Sequence, residues 1–295
     1  MSENPPRYAS WTHGKLPLPE LGEMKRRGER IVMVTAYDAS SGRLADSAGV
    51  DLILVGDSSG MVLHGRDSTV PVSMDEMVFM CQWVSRGAKR PLVVGDLPFG
   101  AYEVSDEQAV QSAIRLVKEG GADVVKLEGG GTSVARARAI VAAGIGVMGH
   151  VGLTPQTSTV LGGFRAQGRS AEQALRLLDE ALALEAAGCF AVVLEAVPAP
   201  VAARVTEALS VPTIGIGAGA ACDGQVLVWH DMLGLYEGHA PRFVKRYADL
   251  ATEITGALSR YADEVRSGAF PEARHSYSIP DEELALFESA TRSRA

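Results

Sequence analysis

Asp57, Asp96, Lys126, Glu128, His150 and Glu195 each stand at or just past the C-terminal end of a short aliphatic run. So many ionisable groups at apolar strand ends call for a cation or a reaction, because a buried charge is costly unless it is paired or metal-bound. Asp57, Asp96 and Glu128 come from three neighbouring runs. Their oxygen-only chemistry suits a hard ion such as Mg²⁺, which leaves positions for water and substrate. Any one of these acids could instead cap the next helix or pair with Lys126, but capping does not account for three adjacent runs. Glu195 follows AVVL, a setting that withdraws it from water and makes it a stronger base; the other reading is a structural Glu bonded to amides of the AVPAP turn. Lys126 and Glu128 are two residues apart and so share one face of an extended segment. Lys126 then either holds a substrate carboxylate or carbonyl or neutralises its acidic neighbours; a Schiff-base role would need an apolar, metal-free pocket. His150 either donates to a substrate oxygen or is a satisfied core residue. Asp38 and Asp231 also close aliphatic runs.

The elements that position these residues recur with a regular beat of strand, loop and helix. Eight aliphatic runs start near Ile31, Asp51, Pro91, Asp123, Gly144, Phe190, Pro212 and Gln225. They are continuously apolar and rich in Val and Ile, as expected of parallel strands covered on both faces. Between them, the segments after Ser73, Ser105 and Ser170 carry a capping hydroxyl, an acidic first turn and a terminal Gly. Eight such units in about 240 residues fit a closed (β/α)₈ TIM barrel, with a doubly wound sheet as the alternative. The expected organisation is an N-terminal arm and short helix over 1–28, a barrel catalytic domain over 29–266 and a C-terminal extension over 267–295. GIGAGA from Gly215 formally matches a dinucleotide-binding pattern. It falls at the seventh strand with no acidic partner at the right distance, so these glycines are expected to let backbone approach an anionic group of a ligand.

Composition narrows the function classes. The 295 residues carry 28 Lys+Arg against 36 Asp+Glu, a formal charge of −8. That balance, with no basic run, argues against nucleic acid as a partner. Three widely spaced cysteines with no CxxC pair fit a reducing cytoplasm. No secretory pattern and no apolar stretch of about 20 residues are present, so no membrane association is expected. The glycine-containing loop Thr157–Ser170 reads as a movable lid.

VTAYD from Val34, LVGDSSGMVLHGRDSTVPVSMDEM from Leu54, GDLPFGAY from Gly95, VKLEGG from Val125, GHVGLTPQ from Gly149, LEAVP from Leu194 and IGIGAGAACDGQVLVWHDMLG from Ile214 follow in order without large gaps. Together they closely resemble the ketopantoate hydroxymethyltransferase family. The resemblance implies a barrel of the phosphoenolpyruvate/pyruvate-type superfamily that binds Mg²⁺. It implies a hydroxymethyl transferase that moves a one-carbon unit from 5,10-methylenetetrahydrofolate to 3-methyl-2-oxobutanoate through a Mg-stabilised enolate. It further implies 2-dehydropantoate and tetrahydrofolate as products, a place in pantothenate biosynthesis and a homodecameric assembly. Residue by residue, Asp57 and Asp96 match metal-binding aspartates and Glu128 the acid beside that metal. Ser58, Lys126 and His150, with Asp57 and Asp96, match substrate-contacting positions, and Glu195 matches the base. Departures are Ser59 where Leu is common, Ala101 where Ser is common, and the EARHSY segment near the C-terminus. The rival within the same chemistry is a Mg²⁺-dependent C–C lyase or mutase on another 2-oxo acid.

Overall fold

The computed structural model describes residues 14–236, 238 and 241–292. Each of the eight aliphatic runs is a strand: β1 Ile31–Thr35, β2 Leu52–Val55, β3 Leu92–Asp96, β4 Val124–Lys126, β5 Val147–Gly152, β6 Ala191–Glu195, β7 Thr213–Ile216 and β8 Gly224–Leu227. Neighbours pair in parallel in chain order, and β8 pairs with β1, so the sheet closes into a barrel. Closure excludes the doubly wound alternative, which has two edges.

Strand parity sorts the side chains. Met33, Leu52, Leu54, Leu92, Val94, Val124, Met148, Ala191, Val193 and Ile214 form one buried cluster inside the barrel. The residues between them, such as Ile53, Val93, Val125, Val192 and Leu194, pack outward with the helices. Counting on by two from the inward set brings Asp96, Lys126, Glu128, His150 and Glu195 to the inside at the C-terminal mouth. The parity that fills the core with aliphatics therefore also delivers the ionic residues to one place.

Helices α1 (Glu20–Arg26), α2 (Ala39–Ser47), α3 (Ser59–Val62), α4 (Met74–Gly87), α5 (Asp106–Ile114), α6 (Thr132–Ala142), α7 (Ala171–Ala186), α8 (Ala199–Ala208) and α9 (Trp229–Met232) complete the unit that contains the barrel. The oxygens of Ser73, Ser105 and Ser170 accept from the amides of Glu76, Gln108 and Gln173, as their spacing predicts. Asp38 caps α2 and shares a capping box with Ser41, so its place at a strand end is structural. Helix α7 lies so close to β5 that a methyl at Gly149 would come within 2.8 Å of Leu184.

The seventh connection departs from the regular beat. Between Ile216 and Gly224 there is no helix, although parallel strands are usually joined by a dozen or more residues. Gly217 and Gly219, at φ +65° and +85°, turn the chain back. A Cβ at Gly217 would meet the Phe243 ring at 2.5 Å, and one at Gly219 would meet Ala199 at 2.5 Å. The glycines of GIGAGA serve a tight return and close packing.

The opposite end of the barrel is sealed. Leu16, Leu21 and Met24 join the interior cluster, and Lys25 Nζ donates to the carbonyls of Thr206 and Val211 and to Asp223. Asp51, Asp123 and Asp223, each just before an even-numbered strand, accept from the amides of Val32, Val93 and Thr213 on the preceding strand. These bonds fix strand register at the bottom, away from the mouth.

All eight strands lie within the span 29–266, and the compact unit holding them ends at Tyr247. The second unit starts at Ala248 and contains α10 (Leu250–Ser267) and α11 (Asp281–Arg292). Gly268, at φ +73°, ends α10, and Phe270 packs its ring against Tyr261 and His275. Ile254, Leu258, Tyr261 and Val265 form an exposed stripe at helical spacing on α10.

Candidate active site

The ionic residues at the mouth form a continuous chain. The Asp57 amide donates to Asp96 Oδ2 at 3.3 Å. Asp96 Oδ1 lies 2.8 Å from Lys126 Nζ, which is 3.6 Å from Glu128 Oε1 and 3.5 Å from His150 Nδ1. His150 Nδ1 is 3.6 Å from Glu128 Oε1, and its Nε2 faces Glu195 Oε2 at 3.3 Å. Asp57, Asp96, Lys126, Glu128 and His150 are all buried, and Glu195 keeps 15% of its side-chain surface open to solvent. Glu195, at the end of this buried chain, is its one partly open carboxylate.

Burial raises Asp57 well above the usual carboxylate range, and the charges of Asp96 and Glu128 add to the effect. Burial also raises Asp96, against the pull of Lys126. Burial works on Glu128 in the same direction, but Lys126 and His150 outweigh it and hold the group low. Lys126 is raised: burial opposes its charge, yet Asp96, Glu128 and Asp57 more than compensate. For His150, burial and Lys126 act downward, while contacts with Glu128 and Glu195 carry it to about 9, so the imidazole is a cation at neutral pH. The mouth thus separates its carboxylates into one group kept charged and another that is reluctant to ionise.

Four carboxylates face two cations here, which leaves two negative charges in excess when all are ionised. Asp96 Oδ1 is fully buried and has no partner in hydrogen-bond geometry, although Lys126 Nζ is near. Two adjacent buried aspartates under mutual repulsion, offset by the single Lys126 ammonium at 2.8 Å from Asp96, suit a hard divalent ion that completes its shell with water and substrate oxygens. Among the described residues, no three His, Cys, Asp or Glu side chains are arranged as ligands of one ion. Glu128 turns one oxygen to Lys126 and His150 and the other to the Gln156 amide at 3.1 Å, so it stands beside the aspartate pair.

Ser58 pairs its hydroxyl with that of Tyr37 at 2.9 Å. Tyr37 packs its ring 5.4 Å from His230, and burial raises its pKa, so the phenol stays protonated. Asp231, at the end of the eighth run, is buried and raised by desolvation, against the pull of Arg246. Sequence reasoning missed Tyr37, Tyr102 and Gln156. All three lie inside the segments VTAYD, GDLPFGAY and GHVGLTPQ, but past the strand ends, where parity no longer says which way a side chain points. In the loop Thr157–Ser170, residues 158–162 form turns and residues 165–169 have no regular structure, with Val160 and Phe164 exposed.

Solved structures with the same barrel include phosphonopyruvate hydrolase (13% identity, 94% of this chain and 96% of that one, TM-score 0.57). Another is 2,3-dimethylmalate lyase, described as a PEP mutase/isocitrate lyase superfamily member (17% identity, 93% and 99%, TM-score 0.56). At these identities the likeness concerns the fold. Sequence relatives are much nearer. The 3-methyl-2-oxobutanoate hydroxymethyltransferase of Moorella thermoacetica is 59% identical over 263 residues, covering 89% of this chain and 98% of that protein. The protein of the same name from Nitratidesulfovibrio vulgaris is 54% identical over 296 residues, covering 99% and 96%. A mitochondrial form from Arabidopsis thaliana is 54% identical over 292 residues, covering 97% and 82%. The family model described as ketopantoate hydroxymethyltransferase matches residues 15–273, which takes in every strand and every ionic residue of the mouth. On that match and those identities, the chain belongs to the ketopantoate hydroxymethyltransferase family.

Proposed function

We propose that this chain hydroxymethylates 3-methyl-2-oxobutanoate with 5,10-methylenetetrahydrofolate and water, releasing 2-dehydropantoate and tetrahydrofolate. The reading is carried by one observation: an unbroken buried chain of charged groups runs from Asp96 to the partly open Glu195 at a single barrel mouth. Asp57 and Asp96 hold Mg²⁺ in this reading, with Glu128 beside them. When bound, the ion would draw charge from the carbonyl of the oxoacid.

The chain's own residues do the rest. Glu195 takes the proton from C3 of the oxoacid. Negative charge that develops on the oxoacid oxygen is met by Lys126 and His150, buried cations that need no reorganisation. Ser58, oriented by Tyr37, offers a hydroxyl next to Asp57. The carbon that has lost its proton bonds to the one-carbon unit of the folate. Both C–N bonds to that unit break, water supplies the hydroxyl, and the protons from C3 and from water end on the two folate nitrogens. Holding the substrates together supplies much of the remaining rate. A coupled assay tests this directly. Tetrahydrofolate is expected to form only with 3-methyl-2-oxobutanoate present and to stop forming with EDTA. Cleavage of a hydroxy-diacid without folate would replace the transferase by a lyase.

The same proposal includes a cytoplasmic homo-oligomer, a decamer by family resemblance. The buried, unpaired thiols of Cys81, Cys189 and Cys222 support a reducing compartment, and no described helix is long and apolar enough to cross a membrane. Exposed Phe79 and Trp83, stacked at 6.5 Å on α4, and the apolar stripe of α10 support association. Sedimentation is expected to give a mass many times that of one chain, and a single-chain mass would end this part of the reading.

A further inference from the structure

Gln156 lies in the short turn Pro155–Thr157 that follows β5, and it is buried. Its side-chain amide is fully committed. Nε2 donates to Asp57 Oδ2 at 2.9 Å and to the Leu97 carbonyl at 2.9 Å, while Oε1 accepts from Tyr102 at 2.6 Å. Turning the amide over would set its oxygen against two acceptors, so this orientation is the only one that satisfies the site. The Gln156 backbone amide donates to Glu128 Oε2 at 3.1 Å, and the Tyr102 oxygen accepts from the Glu128 amide at 3.2 Å. One residue therefore ties the ends of β2, β3 and β4 to the turn after β5. It fixes one oxygen of Asp57 and one of Glu128, the two acids on either side of Asp96.

We infer that Gln156, held by Tyr102, is a positioning residue that sets the direction of the Asp57 carboxylate and thereby the divalent-ion affinity of the site. The inference rests on the reading that Asp57 and Asp96 share the ion. With Oδ2 occupied by Gln156, the remaining Asp57 oxygen is left for the ion. Without the amide, the carboxylate is free to rotate toward Lys126. Hydrogen-bond partners of metal ligands are commonly worth about 10–100-fold in affinity.

The test measures Mn²⁺ binding to the full-length chain by electron paramagnetic resonance in the absence of substrates. Gln156→Met keeps the length of the side chain and removes both donors; it is expected to weaken Mn²⁺ binding about 10–100-fold. Tyr102→Phe leaves Gln156 in place but frees its oxygen, and a smaller loss in the same direction is expected. Thermal unfolding in EDTA identifies a variant that has lost its fold; if Gln156→Met does not fold, Tyr102→Phe decides the matter. Kinetics with varied metal should show the weakening in the metal concentration needed for half-maximal rate, with the rate at saturating metal changed far less. Affinity within twofold of wild type in a folded variant overturns the inference and leaves the divalent-ion reading standing. A wild-type chain that takes up no Mn²⁺ overturns both.

Discussion

Glu195→Gln is expected to lower turnover by about 10²–10⁴-fold, the usual worth of a positioned general base, while leaving the protein folded and its metal binding intact. The glutamine keeps the shape of the side chain beside His150 Nε2 and removes the ability to take a proton, together with one of the charges that support the His150 cation. The loss should therefore appear at the first chemical step. In D₂O, wild-type protein should exchange the C3 hydrogen of 3-methyl-2-oxobutanoate without folate, and the variant should not. Exchange at the wild-type rate in Glu195→Gln would remove this residue from the proton transfer and direct attention to another group at the mouth.

Lys126→Met should be the most destabilising single change in the site. Lys126 Nζ sits between Asp96 at 2.8 Å and Glu128 at 3.6 Å, and all three groups are buried. Deleting one member of a buried ionic set typically costs about 3–5 kcal/mol, because the partners are left without compensation. The pH dependence has a definite sign. Burial opposes the ammonium charge, yet its acidic neighbours raise the Lys126 pKa above its ordinary value of 10.5. Its contribution is therefore fully present below that ordinary value and is lost only as pH rises beyond it. At neutral pH the full penalty of Lys126→Met should show in urea unfolding. It should shrink in acid, where Asp57 and Asp96, both raised by burial, take up protons. Adding Asp96→Asn should restore part of the stability, as expected of coupled partners. An unchanged urea midpoint, or strict additivity of the two changes, would show that the ammonium does not compensate these acids.

Much of this site could be read from residue order because the ionic residues stand where the aliphatic runs end, and a parallel barrel gathers those ends at one mouth. A run such as AVVLE buries aliphatics on both faces and ends in Glu195 at the open end of a parallel barrel; once the inward set is known, steps of two place Asp96, Lys126, His150 and Glu195 inside. What parity cannot give is the direction of a carboxylate. The resemblance puts Glu128 among the acids at the metal, and its oxygens meet Lys126 of its own strand, His150 of the next strand and the Gln156 amide of the turn beyond, a set of contacts that residue order does not give. Gln156 and Tyr102 were not legible for a related reason. They lie in loops, and their meaning depends on partners 99 and 26 residues away, Asp57 and Glu128. The β7–β8 return was hidden as well: glycines that relieve crowding and glycines that admit a ligand look alike until Phe243 and Ala199 are seen against them.

The bottom of the barrel bears on how this fold can change. Asp51, Asp123 and Asp223 stitch strand to strand there, and Lys25 ties α1 across the floor. None of these contacts involves an ionic residue of the mouth. Loops on the far rim can accordingly be lengthened, shortened or rewritten while the staves stay aligned. A lineage, or an engineer, seeking a new donor or acceptor for this chemistry can work at one end of the molecule and leave the other alone.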